Sequence, residues 1–167
     1  MKITVGILTI SDRCSRGLRE DGGGPALGKA AESLGWRVAE HAVVPDEKKE
    51  IQGILRDWCD TKKLQLILTT GGTGLGPRDV TPEATREVLD REVEGISDLM
   101  RREGMKHTPR AALSRAVAGV RGASLILNLP GSPRGAEESL RAVSGIIPHA
   151  LSMMKGEGHE VVHDSAG

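Results

Sequence analysis

The chain has no tyrosine and no phenylalanine; Trp36 and Trp58 are its whole aromatic complement in 167 residues. Proteins that bind single-stranded nucleic acid stack bases on aromatic rings, so a surface of that kind is excluded. An excess of one charge is also missing, because 23 lysines and arginines balance 23 aspartates and glutamates. With no net field there is no electrostatic case for nucleic acid or an anionic membrane as partner. No apolar run approaches the roughly 18 residues that cross a bilayer. Cysteine is scarce: Cys14 and Cys59 form no CxxC pair, which fits a reducing, cytoplasmic setting better than a disulfide framework. Cys14 has no histidine placed by the sequence to activate it as a nucleophile. The opening KITVGILTI is too short and too rich in threonine for a signal peptide, and reads as a strand.

Glycine, by contrast, is abundant, with 22 residues. Four of them, Gly71, Gly72, Gly74 and Gly76, follow the apolar run Leu66-Ile67-Leu68 and precede Arg78-Asp79 and Thr81-Pro82-Glu83. The last three residues read as a helix N-cap with proline at the first helical position. A strand that breaks into glycines before a helix start brings backbone N–H groups close to a ligand, an arrangement suited to an anion. The standard nucleotide motifs do not fit. Gly71 and Gly76 have P-loop spacing, but Pro77 and Arg78 stand where Lys and Ser or Thr are needed, and no G-x-G-x-x-G is present. A purely structural turn is the competing interpretation, and the Arg-Asp pair behind the glycines favours function.

Length is consistent with one domain over residues 1–155 and a flexible tail over 156–167. Strand-like runs at Ile3–Ile10, Val38–Val44, Leu64–Thr70 and Ser124–Leu129 alternate with helical periodicity at Pro25–Leu34, Glu47–Cys59, Pro82–Asp90, Ile96–Lys106 and Gly135–Met154. Such alternation predicts a mostly parallel sheet with helices on both faces. Ala116–Val120, Arg121-Gly122 and Ser124–Leu129 predict one antiparallel hairpin. The stretch from Gly95 to Arg115 is the least legible.

Each strand is followed by polar residues: Ser11-Asp12-Arg13, Pro45-Asp46-Glu47, the glycine loop with Arg78-Asp79, and Pro130-Gly131-Ser132-Pro133. In an open parallel sheet these loops gather at the carboxyl edge, where ligands bind. Ser132-Pro133 repeats the Thr81-Pro82 device, so two helix N-termini are expected to face one crevice. Asp12, Asp46 and Asp79 can supply carboxylates to a magnesium-bound nucleotide, and Arg13, Arg78 and Arg134 can reach phosphate. An Asx-turn for Asp12, a helix cap for Asp46 and a loop salt bridge for Asp79 are the simpler alternatives.

Thr69-Thr70-Gly71-Gly72-Thr73-Gly74 and Arg78-Asp79-Val80-Thr81-Pro82-Glu83 closely resemble the MogA/MoaB family of molybdenum cofactor biosynthesis. The resemblance extends through Ile10-Ser11-Asp12, Val44-Pro45-Asp46, Ser114-Arg115 and Asn128-Leu129-Pro130-Gly131-Ser132-Pro133. It implies a three-layer α/β molybdopterin-binding fold and transfer of AMP from Mg-ATP to molybdopterin, with release of pyrophosphate. It further implies a homotrimer or trimer-based hexamer and a downstream metal-insertion protein as partner. By the same resemblance, Asp46 and Asp79 are the essential acidic residues and magnesium ligands. Gly71, Gly72, Thr73 and Gly74 face the nucleotide, Pro130, Gly131, Ser132 and Pro133 form a second wall, and Ser11, Asp12 and Arg78 line the pocket. The fold also resembles domains that bind pterin or nucleotide without turnover, including the N-terminal domain of the scaffold gephyrin and CinA-type domains. One further pattern, His159-Glu160-Val161-Val162-His163, matches the H-E-x-x-H zinc motif. It lies beyond Gly156 and Gly158 with no downstream ligand, and is expected to be solvated tail.

Overall fold

The computed structural model describes residues 2–157; the H-E-x-x-H pattern at 159–163 lies outside the described residues. A six-stranded mixed sheet has the order β2-β1-β3-β6-β5-β4. Strands β1 (Thr4–Ile10), β2 (Arg37–Val44), β3 (Leu66–Thr70) and β6 (Ser124–Leu129) run parallel. β5 (Ala118–Arg121) and the two-residue β4 (Arg91–Glu92) continue the sheet antiparallel to their neighbours. All residues of β3 and β6 are buried, as continuous apolar runs covered on both faces must be. β2, at the edge, is largely half-buried or exposed.

Successive residues of a strand point to opposite faces, and this alternation divides the core in two. On one face Leu66 and Leu68 of β3 pack with Leu27 of α2 (Gly23–Ser33), Met100 of α5 (Glu94–Met105), Leu140 of α6 (Pro133–Ser144) and Ile147 of α7 (Ile147–Met154). On the other, Ile67 packs with Ile51 and Leu55 of α3 (Lys48–Arg56), Val88 of α4 (Thr81–Val88) and Trp58 in the π-helical turn Asp57–Thr61. These are the three layers expected from the sequence.

Some local expectations fail. Gly135–Met154 is two helices, because Pro148 has no N–H to continue a helix and instead occupies the first turn of α7. Thr81 is not an N-cap. It is the first residue of α4, and its buried hydroxyl donates to the Gly71 carbonyl (2.9 Å). The short helix α1 (Asp12–Ser15) and β4 carry too few residues to show a period.

One buried polar side chain of β6 joins β3, α4 and the residue before β5. The Asn128 amide donates to Thr69 Oγ1 of β3 (3.0 Å) and Thr85 Oγ1 of α4 (3.0 Å), and its Oδ1 accepts the Val117 N–H (3.2 Å). Every bond of such a network matters, because a buried donor left alone costs about 1–3 kcal/mol.

Gly6 gives a direct test of the packing: a Cβ there would lie 2.6 Å from the Trp58 ring and 2.8 Å from Leu64 Cδ1. Gly6→Ala is expected to destabilise the chain by about 1–3 kcal/mol through overpacking, read from urea unfolding followed by tryptophan emission. An unchanged midpoint would show that Trp58 does not pack on β1 as described.

Candidate active site

Two strand ends are locked together by their aspartates. The Asp12 N–H donates to Asp46 Oδ2 (2.9 Å), and the Asp46 N–H donates to Asp12 Oδ1 (3.0 Å). Asp12 therefore makes a bond across strands rather than an Asx-turn, and Asp46 is no helix cap, since Glu47 occupies the position preceding α3. Two carboxylates this close repel, and a cation answers one of them: Arg78 Nε and Nη2 reach Asp12 (3.0 and 3.1 Å), and Nη2 also reaches Glu47 (2.8 Å). The Arg78 guanidinium holds the Asp12 carboxyl below the usual carboxylate range. Asp46 has no such partner. Burial, reinforced by the charges of Asp12 and Asp79, pushes its carboxyl above that range despite the Asp12 N–H.

The glycine loop begins with two left-handed residues, Gly71 (φ 103°) and Gly72 (φ 69°). A Cβ on Gly72 would fall 2.2 Å from Thr81 Oγ1 and 3.0 Å from Asp46 Oδ1, so only glycine lets the loop lie against both. The Gly72 carbonyl accepts the Thr81 N–H (3.2 Å). That bond overturns one expectation: protein already occupies the start of α4, so of the two helix starts expected at the crevice the start of α6 faces it, while the start of α2, at Gly22 and Gly23, borders the smaller cavity. Ser132 caps α6 through the Gly135 N–H (3.1 Å). Among the described residues, the N–H groups of Gly72, Thr73, Gly74, Gly131 and Ser132 have no acceptor in the protein. Asp79 forms no loop salt bridge; its Oδ2 accepts the Gly76 N–H (2.9 Å), which leaves Oδ1 without a protein donor.

The loop separates two cavities. The larger, about 520 Å³, is mainly apolar and runs from Thr73 and Gly74 past Met100, Leu113 and Asn128 to Glu138. The smaller, about 350 Å³, is polar and bordered by Ser11, Cys14, Glu20, Asp21, Asp46 and Gly71. Gly72, Asp79, Gly131 and Ser132 border both. Two anionic ligands can thus meet across one wall that carries free N–H donors and a carboxylate.

Of the residues expected at the site, the structure brings together Ser11, Asp46, Gly71 to Gly74, Asp79 and Pro130 to Pro133 around the two cavities. Asp12 and Arg78 border neither cavity, because each is taken up by the other, and Arg134 is paired with Glu138 on α6 (2.9 Å). The arginines that do border the cavities without a partner among the described residues are Arg110, at the larger, and Arg19, at the smaller. No motif or spacing marks either of them. Arg110 lies in the 3₁₀ turn Pro109–Leu113, inside the stretch least legible in the sequence, and that turn forms the outer wall of the larger cavity.

Two carboxylates without a third suit magnesium delivered by a nucleotide, which is held by one or two carboxylates plus substrate phosphates. No cluster of three or more metal-ligating side chains occurs among the described residues.

Residues 6–149 match the family described as a probable molybdopterin binding domain. The chain is 46% identical over 153 residues to the molybdenum cofactor synthesis protein cinnamon of Drosophila melanogaster, covering 91% of this chain and 26% of that protein, about a quarter of its length. It is 40% identical over 161 residues to the molybdopterin adenylyltransferase of Helicobacter pylori strain J99, covering 95% of this chain and 92% of that one. The crystal structure of the molybdopterin biosynthesis enzyme MoaB from Thermus thermophilus superposes with a TM-score of 0.88 at 57% identity, over 92% of this chain and 97% of that one.

The upward shift at Asp46 has a consequence for stability. A carboxyl whose folded pKa is raised stabilises the fold fully below its unfolded value, about 3.9, and loses that contribution as pH rises through the folded value. Ionised Asp46 therefore costs stability at neutral pH. Asp46→Asn keeps an oxygen for the Asp12 N–H and removes the charge, so it should melt above the wild type at pH 7, with the gap closing as pH falls toward 4. Melting below the wild type at pH 7, or a gap independent of pH, would contradict this electrostatic account.

Proposed function

The chain belongs to the family of probable molybdopterin binding domains, and from that premise we propose that its carboxyl-edge site transfers AMP from ATP to the terminal phosphate of molybdopterin, releasing pyrophosphate. The observation that carries this is the shared wall: two cavities meet at Gly72, Asp79, Gly131 and Ser132, so two substrates can place phosphates on either side of the same donors. An oxygen of the pterin's phosphate forms a bond to the α-phosphorus while the bond to the pyrophosphate oxygen breaks. The nucleophile is already an anion, so no residue has to remove a proton. Transfer between anions depends on positioning and on neutralising charge as it moves to the leaving group.

The chain's residues fit those demands. The N–H groups of Gly72, Thr73 and Gly74 donate to phosphate oxygens, and Ser132 with α6 supplies a second donor edge. Magnesium carried by ATP neutralises phosphate charge, and Asp46 and Asp79 are the groups that would hold it. Ser11 borders the same polar cavity; Asp12 and Arg78 act by fixing Asp46 rather than by touching phosphate. The apolar lining of the larger cavity suits a heterocycle, and with no aromatic residue in that lining, Met100, Leu113 and backbone are left to cover it.

Assembly as a trimer or trimer-based hexamer, a cytoplasmic location and delivery of the adenylylated product to a metal-inserting protein belong to the same proposal. Leu18, Leu75 and Met153, all more than half exposed, provide apolar surface for such contacts. Sedimentation should give a mass of three, or six, times 17.7 kDa.

With ATP labelled at the α-phosphate, label should enter the pterin in the presence of magnesium while the β and γ phosphates leave together. Asp79→Asn should lower turnover by roughly 10²-fold with little change in melting temperature. Release of the γ phosphate alone would make the protein an ATPase, and pterin binding without transfer would make it a binding module.

A further inference from the structure

Arg115 follows the segment that forms the outer wall of the larger cavity, yet its side chain borders neither cavity of the site. It lies behind the glycine loop. Its Nε donates to the Gly74 carbonyl (2.8 Å), its Nη2 to the Asp79 carbonyl (2.8 Å), and its backbone N–H to the Thr73 carbonyl (2.9 Å). Its remaining nitrogen, Nη1, is bonded to Glu83 in the first turn of α4. One residue thus takes three carbonyls from the loop that contains both the free N–H donors and the Asp79 carboxylate.

A peptide unit points its N–H and its carbonyl in opposite directions. Fixing the Thr73 carbonyl at the back therefore turns the Gly74 N–H forward, and fixing the Asp79 carbonyl sets the backbone from which that carboxylate projects. The planar guanidinium fork can hold two carbonyls and a carboxylate at once, whereas an ammonium is a point donor on a flexible stem.

We propose that Arg115 is a positioning residue of the site: backed by Glu83, it orients the glycine-loop donors and Asp79 toward the nucleotide and its metal without touching either. Glu83 carries a cost that supports a definite task. Its Oε2 is buried with no hydrogen-bond partner although the side chain as a whole is 42% exposed, and its other oxygen is committed to the Arg115 guanidinium. The back of the loop is also open to solvent. A third cavity of about 330 Å³ is bordered by Arg115, by Glu92, Glu94 and Asp98, and by Arg86 and Arg101, which are paired with Glu92 and Asp98, so a small cation can reach the position of the guanidinium.

This inference rests on the nucleotide site proposed above, and its test separates the two. Binding of Mn-ATP, followed by the water proton relaxation of Mn²⁺, and AMP transfer are both measured for wild type, Arg115→Ala and Arg115→Lys. Both variants should weaken Mn-ATP binding and lower turnover, each by roughly 10-fold or more, the scale for misplacing groups that act by position. Millimolar guanidinium should restore several-fold of the loss in Arg115→Ala without moving its melting temperature, and Lys should not rescue. Wild-type binding and turnover in either variant would overturn the proposal; so would losses that follow the unfolded fraction and ignore guanidinium. Should the wild type bind Mn-ATP without transferring AMP, the assigned reaction fails, while the binding measurement still decides the role of Arg115.

Discussion

Backbone approach at the carboxyl edge sets everything built there. A Cβ on Gly71 would sit 2.2 Å from the carbonyl oxygen of Ile10, the last residue of β1. The Gly71 N–H donates to the Leu129 carbonyl at the end of β6 (3.2 Å), and the Thr70 hydroxyl donates to the Pro130 carbonyl (2.7 Å), so the ends of β1, β3 and β6 meet at this glycine. A side chain at Gly71 would push them apart and open the wall that the two cavities share. Because α4 is tied to Gly71 and Gly72 through Thr81, the loop can neither swing out nor settle against the helix start. Its N–H groups stay exposed to the crevice instead of being consumed by the protein.

The charges at this edge are arranged against stability. Asp12, Asp46 and Asp79 converge, yet Arg78 serves Asp12 and Glu47 and forms no ion pair with Asp46 or Asp79. Asp46 is left to bear burial and two like charges. In a core chosen only for stability such a group would be paired or replaced. A site that must accept a cation together with phosphates needs carboxylates that no protein cation has already neutralised, and their repulsion is relieved when the cation arrives. Arg78 contributes indirectly, since by holding Asp12 it fixes the backbone that anchors the Asp46 carboxylate.

The parallel core was readable because β3 and β6 are continuous apolar runs of strand length and because helical periods separate them. The grouping of the candidate site residues was readable for a related reason: in such a sheet the loops after parallel strands share one edge, which brings Asp46, the Gly71–Gly74 loop and Pro130–Pro133 together. Side-chain choices between competing partners escaped. Nothing in the order Arg78-Asp79 tells that the arginine turns away to Asp12, nor that Thr81 bonds a glycine carbonyl instead of capping its helix. Within the Gly95–Arg115 stretch, the helical period over Ile96–Lys106 did appear as α5, Glu94–Met105, but the 3₁₀ turn after it escaped, since it buries no residue. A turn that covers a cavity instead of filling a core has little apolar periodicity to show.

The proposed reaction requires the nucleotide and its metal to lie on the wall at Gly72, Asp79, Gly131 and Ser132 that both cavities share, with Asp46 beside it in the smaller cavity. Anomalous diffraction from crystals grown with Mn²⁺ and a non-hydrolysable α,β-methylene analogue of ATP tests it most directly. The account predicts a manganese peak within coordination distance of the Asp46 and Asp79 carboxylates, with the α-phosphate against the N–H groups of Gly72 to Gly74. A metal bound away from both aspartates, or a nucleotide whose phosphates point out of the crevice, would contradict it.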